Sequence, residues 1–223
     1  MSWETALDNR IHDYLPDLKW VENEPMAKHT SFRIGGPARR MAFPKTREQL
    51  VVLMGFLQDA GVKPLLIGNG TNLLVSDEGL DTVVIDTSAE LSRLDLTGDG
   101  EITADAGVSL ATLAVFAWKN GLKGLAFAHG IPGTLGGGIV MNAGAYGGEL
   151  KDVVTEGTAL YSDGVKVLTP AELDFSYRHS VFSAGEGIVL GAKLKLETGD
   201  KDAIKAEMDE LMARRKASQP LEL

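Results

Sequence analysis

Apolar residues recur every three to four positions at the start of the chain, at Trp3, Leu7, Ile11, Tyr14, Leu15 and Leu18, which predicts a short amphipathic helix over 3–18. Residues 20–28 read as extended, and Ser31-Phe32-Arg33-Ile34-Gly35-Gly36-Pro37 as strand and turn. Thr46 is placed to open a helix that runs to Ala60 and stops at Gly61. Short apolar or β-branched runs predict strands at 64–67 and 82–86, and the alternation at 101–106 predicts another. Ser109 caps a predicted helix that reaches Asn120. Two strand-like runs, 154–161 and 165–169, flank Ser162-Asp163-Gly164 as in a hairpin. A strand follows at 188–196, then a charged amphipathic helix at 200–217 with Ile204, Met208, Leu211 and Met212 on one side. The mixture is α+β, without an internal repeat and without regular strand–helix alternation.

Composition changes this picture at one point. Glycine supplies 26 of 223 residues, well above the usual level of about 7%. Ten of those glycines fall within 121–148. The same stretch holds Ile131, Pro132, Leu135, Ile139, Val140, Met141 and Tyr146, which seek burial, so it reads as a packed functional loop with a short helix and not as a polar tether. The absence of cysteine excludes disulfides, iron–sulfur clusters, thiolate zinc sites and a cysteine nucleophile; no metal site is expected. A net charge of −9 disfavours nucleic acid and anionic membrane surfaces. The N-terminus lacks the pattern of a signal peptide and no apolar run approaches a membrane span, so a cytoplasmic location is expected.

Two glycine loops carry candidate chemistry. Gly68-Asn69-Gly70-Thr71-Asn72-Leu73-Leu74 follows a predicted strand directly. Its glycines let successive N–H groups converge on an anion such as a diphosphate, with Thr71 and Asn72 adding side-chain donors. A dinucleotide βαβ fingerprint does not fit. Leu73 stands where the third glycine belongs, and the next strand starts too soon for a crossover helix. A nucleoside-triphosphate loop is excluded because no Gly-Lys-Ser or Gly-Lys-Thr occurs. The second loop, Gly130-Ile131-Pro132-Gly133-Thr134-Leu135-Gly136-Gly137-Gly138, continues into Asn142-Ala143-Gly144-Ala145-Tyr146-Gly147. So much bare backbone in an apolar setting suits a flat ligand.

These loops, with Thr30-Ser31-Phe32-Arg33-Ile34-Gly35-Gly36 and Tyr177-Arg178-His179-Ser180, occur in an order that resembles the UDP-N-acetylenolpyruvoylglucosamine reductases, in the subtype without an extra insertion. The resemblance implies a two-lobed FAD-binding fold of the vanillyl-alcohol oxidase type. It implies an N-terminal lobe at 1–66, a second lobe at 67–199, and a helix at 200–223 leading toward a substrate-binding domain. It further implies FAD as cofactor, NADPH as reductant, and UDP-N-acetylglucosamine enolpyruvate as the substrate reduced in peptidoglycan biosynthesis; it leaves the oligomeric state open. Gly68, Asn69, Gly70, Thr71, Asn72 and Leu73 would hold the FAD diphosphate. Gly133, Thr134, Gly136 and Gly137 would face it from the second lobe, and Asn142, Gly144 and Gly147 would line the flavin. Ile188 would reach the ring through its backbone, and Ser31 and Arg33 would stand where the lobes join. Arg178 matches the active-site arginine, whose planar guanidinium suits a carboxylate and the enolate formed beside it. A structural ion pair of Arg178 with Glu172 or Asp174 is the alternative. His129 and Tyr177 have packing roles as their plainer reading, and His179 is given none.

In the family, Gln-Pro-Leu-Glu leads into a further domain that carries a proton-donating serine in a Gly-Ser-x-Phe-Lys-like motif and an active-site glutamate. Here Gln219-Pro220-Leu221-Glu222 is followed by Leu223, and no Gly-Ser-x-Phe occurs. The expectation is therefore a shortened chain without the third domain, which binds FAD but turns over weakly. Ser180 and Ser183 stand outside the donor's motif. The alternatives are a non-catalytic FAD-binding module and another FAD-linked oxidoreductase of the same fold.

Overall fold

The computed structural model describes residues 2–219. Pro220, Leu221 and Glu222 of the expected Gln-Pro-Leu-Glu segment lie outside the described residues. The chain divides into two compact units, Met1–Ser92 and Arg93–Leu223. The division falls well beyond the 66/67 boundary expected from sequence, because the strand before the first glycine loop and the strand after it belong to one sheet.

In the first unit, Ser2 caps helix α1 (Trp3–Tyr14), which buries Leu7 and Ile11. The helix ends earlier than its apolar period suggests. Pro16 disfavours the helical region for Leu15, which sits at φ −133° and ψ 52°; Leu15 and Leu18 are buried from the following turn instead. Strand β1 (Lys19–Pro25) pairs antiparallel with β2 (Pro37–Phe43). Thr46 caps helix α2 (Arg47–Asp59) as expected, accepting from the Gln49 N–H. Strands β3 (Leu65–Ile67) and β4 (Leu80–Asp86) complete a sheet of order β1-β2-β4-β3, in which β4 runs parallel to both neighbours.

Strand β2 was not legible in the sequence. It begins at a proline and carries Arg39 and Arg40 at its centre. Arg40 is nevertheless buried, because its Nε and Nη2 donate to the two carboxylate oxygens of Asp8 at 2.9 and 2.7 Å. The Trp20 indole donates to the same carboxylate at 2.7 Å. The Arg40 bonds hold the Asp8 carboxyl below its ordinary value.

The second unit is built on a five-stranded antiparallel sheet of order β11-β10-β12-β6-β5. Its strands β5 (Leu94–Gly98) and β6 (Glu101–Asp105) lead into helix α3 (Leu110–Lys119), capped by Ser109. After a two-residue strand β7 (Leu122–Lys123) comes the glycine-rich stretch. It folds into the short helix α4 (Leu135–Val140) and the hairpin β8 (Gly144–Ala145) and β9 (Gly148–Glu149). The predicted hairpin is β10 (Val154–Tyr161) with β11 (Gly164–Leu168). A single helical turn α5 (Pro170–Leu173), strand β12 (Ile188–Lys195) and short strand β13 (Glu197–Thr198) follow. Helix α6 (Lys201–Ser218) packs Ile204 and Met208 onto the core. Leu110, Leu113, Leu135, Ile139, Leu150 and Leu194 are fully buried in that core, so the glycine-rich stretch is packed structure, as its apolar content requires.

Candidate active site

The first glycine loop fills the parallel connection between β3 and β4, and no helix intervenes. It leans on the segment before β2: the Ser31 N–H donates to the Gly70 carbonyl at 3.2 Å. Gly70 has φ +58°, and a Cβ there would stand 1.9 Å from the His29 carbonyl oxygen; no other residue fits. Among the described residues, the backbone N–H groups of Gly70, Thr71 and Asn72 donate to no protein acceptor. They form a short row of donors of the kind that receives an anion. Arg33 sits beside this loop in the tight turn closed by its N–H on the Thr30 carbonyl, at φ +55°. Ser31, Arg33 and the 68–73 loop are therefore brought together within the first unit.

His29, beneath the loop, was missed from sequence. Its Nδ1 lies 3.2 Å from Asp86 Oδ2 and its Nε2 lies 3.2 Å from Glu24 Oε1. The three residues come from β1, the turn after it and the end of β4, a spacing that no local motif reports.

In the second unit, the glycines of α4 and its approach divide into two kinds. A Cβ at Gly136 would meet the Ala106 Cβ at 2.9 Å, and one at Gly138 would meet Leu150 at 2.8 Å. These glycines allow the helix to press onto the sheet and β9's successor turn. The Gly136 N–H is also spent, on the Ala106 carbonyl at 2.8 Å. Gly137 is different. It is exposed, and a Cβ there would find only Thr134 Oγ1, at 3.7 Å. Gly133 and Gly147 are similarly open, and Gly144 is closed by Glu149 and the Gly148 carbonyl at 2.6 Å. Thr134 is buried and caps α4 through the Gly137 N–H. Within the first unit the row of free N–H groups suits a diphosphate, and within the second the open glycine faces suit a flat ring, so the residues of each unit, taken by itself, fit a part of FAD.

A cavity of about 170 Å³ is lined by the β8–β9 hairpin together with Asn142, Tyr177 and Arg178. Tyr146 and Gly147 are the two turn residues of that hairpin, at φ +53° and +88°, the arrangement of a type I′ turn. Of the six non-glycine residues at positive φ among the described residues, three line this cavity: Asn142, Tyr146 and Arg178. Such backbone costs about 1–2 kcal/mol per residue for an ordinary side chain, and it gathers where a fixed geometry is needed.

Arg178 stands at the tip of a tight turn in which Ser176 and His179 exchange both N–H···O bonds, at 3.1 and 3.2 Å. Its side chain is exposed and, among the described residues, has no hydrogen bond or ion pair. Neither acid considered as its structural partner holds it. Glu172 accepts from the Thr169 N–H and hydroxyl at 2.8 Å, and Asp174 lies 3.8 Å from His179. Ser180 and Ser183 are committed as well. The Ser180 hydroxyl donates to the Val140 carbonyl at 2.8 Å, the Ser183 hydroxyl donates to the same oxygen at 3.3 Å, and each accepts a backbone N–H of this segment. Ile188 lies elsewhere in the unit, half-buried at the start of β12 opposite Leu160.

Glu149 is the site residue that sequence reasoning missed. Its carboxylate accepts from Lys151 Nζ at 2.7 Å and from Asn142 Nδ2 at 2.8 Å. The Lys151 bond first, then the Asn142 bond and the nearby Arg178 charge, hold it below the usual carboxylate range. The signal was present: a two-residue turn at Tyr146-Gly147 places residue 149 back beside 142–144.

The FAD binding domain family matches residues 38–169. The UDP-N-acetylenolpyruvoylglucosamine reductase of Caldanaerobacter subterraneus is 45% identical over 97% of this chain and 71% of its own length. That of Limosilactobacillus reuteri is 44% identical over 93% of this chain and 70% of its own length. The chain thus spans about 70% of the length of these relatives. The crystal structure of UDP-N-acetylenolpyruvylglucosamine reductase from Thermus caldophilus superposes with a TM-score of 0.76 at 34% identity, covering 91% of this chain and 70% of that one. Cholesterol oxidase from Brevibacterium sterolicum, at 18% identity and a TM-score of 0.61 over 82% of this chain and 38% of its own, shares the fold alone. The fold is the FAD-binding fold of the vanillyl-alcohol oxidase type, and the chain belongs to the UDP-N-acetylenolpyruvoylglucosamine reductase family.

Proposed function

We propose that this chain binds FAD and serves the NADPH-dependent reduction of the enolpyruvyl group of UDP-N-acetylglucosamine enolpyruvate, in the cytoplasmic stage of peptidoglycan synthesis. The observation that carries this reading is Arg178: a guanidinium that, among the described residues, makes no hydrogen bond or ion pair, presented on a tight turn at the rim of a glycine-lined cavity.

Each group has a defined task. The N–H row at 70–72 receives the FAD diphosphate, and Ser31 and Arg33 brace that loop, with Gly68, Asn69 and Leu73 fixing its course. The open faces of Gly133, Gly137 and Gly147 let the cofactor approach the backbone, while Thr134, Gly136 and Gly144 shape those surfaces from behind. Ile188 contributes through its strand's backbone. Bound FAD would supply two-electron redox chemistry, with NADPH as its reductant. When the enolpyruvyl double bond is reduced, negative charge develops on the carbon beside the substrate carboxylate. Arg178 stabilises that charge by holding the carboxylate bidentately. Among the described residues no helix is long and apolar enough to cross a membrane, and the net charge of −9 gives nucleic acid no purchase.

The test follows the flavin. The FAD-loaded chain should lose its visible flavin absorbance on anaerobic addition of NADPH and regain it on addition of the enolpyruvyl nucleotide. Arg178→Ala should keep the first change and slow the second. Regain of colour at an unchanged rate in Arg178→Ala would remove Arg178 from the reaction.

A further inference from the structure

One buried carboxamide lies behind the exposed arginine. Asn142 follows α4 at φ +41° and is 2% exposed. Its Nδ2 donates one hydrogen to Glu149 Oε2 at 2.8 Å and the other to the Ser176 carbonyl at 3.0 Å, while its Oδ1 accepts the Lys151 N–H at 3.0 Å. Both donors and an acceptor lone pair are thus spent, and they tie the end of α4, where Asn142 sits, to two other segments: residues 149–151 at and after β9, and the foot of the turn that presents Arg178. The other foot is tied to the same helix end, through the Ser180 hydroxyl on the Val140 carbonyl at 2.8 Å.

The geometry points to Asn142 as a positioning residue for Arg178: its carboxamide latches the Ser176–His179 turn to the end of the glycine helix and so fixes the guanidinium relative to the surface that faces the cofactor. This rests on the reading of Arg178 given above. Two features make asparagine the fitting residue. It tolerates the left-handed backbone better than any other side chain but glycine. Its amide also donates twice while accepting once, which aspartate, serine or threonine cannot do. Aspartate would set a third acceptor against the Glu149 carboxylate and the Ser176 carbonyl, and the turn would be pushed away. Glycine would keep the backbone and leave the Ser176 carbonyl without its side-chain donor.

Asn142→Gly and Asn142→Asp decide the matter in the FAD-loaded chain. Three quantities are read: FAD affinity, affinity for the enolpyruvyl nucleotide from the perturbed flavin spectrum, and amide hydrogen exchange at His179, whose N–H bonds the Ser176 carbonyl. Both variants should weaken nucleotide binding between about tenfold and a hundredfold, the scale expected when a binding group is misplaced by about an ångström. Exchange at His179 should quicken in step, and FAD affinity should change far less. Nucleotide affinity unchanged in Asn142→Gly, with His179 still protected, would overturn the latch. Arg178→Ala separates the two layers. If it leaves nucleotide affinity intact, the underlying reading of Arg178 fails; if it weakens binding while Asn142→Gly does not, only the latch fails. Should a variant not fold, the unmodified chain still decides: a His179 amide exchanging as fast as a free loop would show that nothing holds this turn.

Discussion

Replacing Gly137 with alanine separates the demands of folding from those of the cofactor. Gly137 lies inside α4 and is exposed, and a Cβ there would meet only Thr134 Oγ1, at an ordinary contact distance of 3.7 Å. Folding alone should therefore welcome the substitution, since alanine in a helix interior is favoured over glycine by about 0.8–1 kcal/mol. For a unit of this size that raises the melting temperature by roughly 2–4 °C. If the bare face of Gly137 is where the cofactor lies, the added methyl holds it off by an ångström or so. A gap of about 0.5–1 Å already forfeits a quarter to a half of each contact's dispersion attraction, and FAD affinity should fall about tenfold, or about 1.4 kcal/mol. Gly136→Ala is the control: its Cβ would meet Ala106 at 2.9 Å, so the fold itself should lose about 1–3 kcal/mol. The assay pairs thermal melting of flavin-free protein with FAD titration, because bound cofactor would mask the stability change. A Gly137→Ala protein that melts higher and binds FAD as tightly as the parent would refute the assignment of that face to the cofactor. One that melts lower would refute the geometry.

Three further outcomes are expected. Gly70→Ala should weaken FAD binding and lower stability together, because its Cβ would stand 1.9 Å from the His29 carbonyl; thermal melts and flavin titration of the purified variant check both, and a silent substitution would contradict the loop geometry. Arg178→Lys should leave FAD affinity intact yet weaken nucleotide binding about tenfold, since an ammonium cannot grip a carboxylate bidentately; equal affinity would show that only charge matters. Asp8→Ala removes both carboxylate bonds of the buried Arg40 guanidinium, leaving it Glu22 at 3.5 Å, and should cost about 3 kcal/mol in denaturant unfolding. Because the folded Asp8 carboxyl lies below its ordinary value, its contribution is fully present above the usual carboxylate range and is lost as pH falls below that range through the depressed folded value. A difference between Asp8→Ala and the parent that persists in strong acid would contradict that pairing.

The sequence was most readable where one local signal sufficed. Thr46 and Ser109 each cap the helix expected of them, and the hairpin expected around Ser162-Asp163-Gly164 joins β10 to β11, with Ser162 and Asp163 as its turn and Gly164 already paired with Tyr161. It was unreadable where a distant partner changes a residue's character. Strand β2 looks too charged to be central until Asp8, 32 positions earlier, is found to neutralise Arg40. The glycines could be counted but not sorted, because whether a Cβ would strike Ala106 or meet open space depends on how α4 lies on its sheet. The same holds for Asn142 and Glu149. In the sequence Asn142 is one residue of a motif; in the fold its amide ties the arginine turn to the glycine helix, and Glu149 shares the bond.

Whether this fold holds FAD is decided by equilibrium titration of flavin-free protein with the cofactor. Saturable binding of one FAD per chain, with a perturbed flavin spectrum and weaker binding in Gly137→Ala, is the expected result. Protein that is folded by its melting curve yet leaves the FAD spectrum and the free FAD concentration unchanged would contradict it.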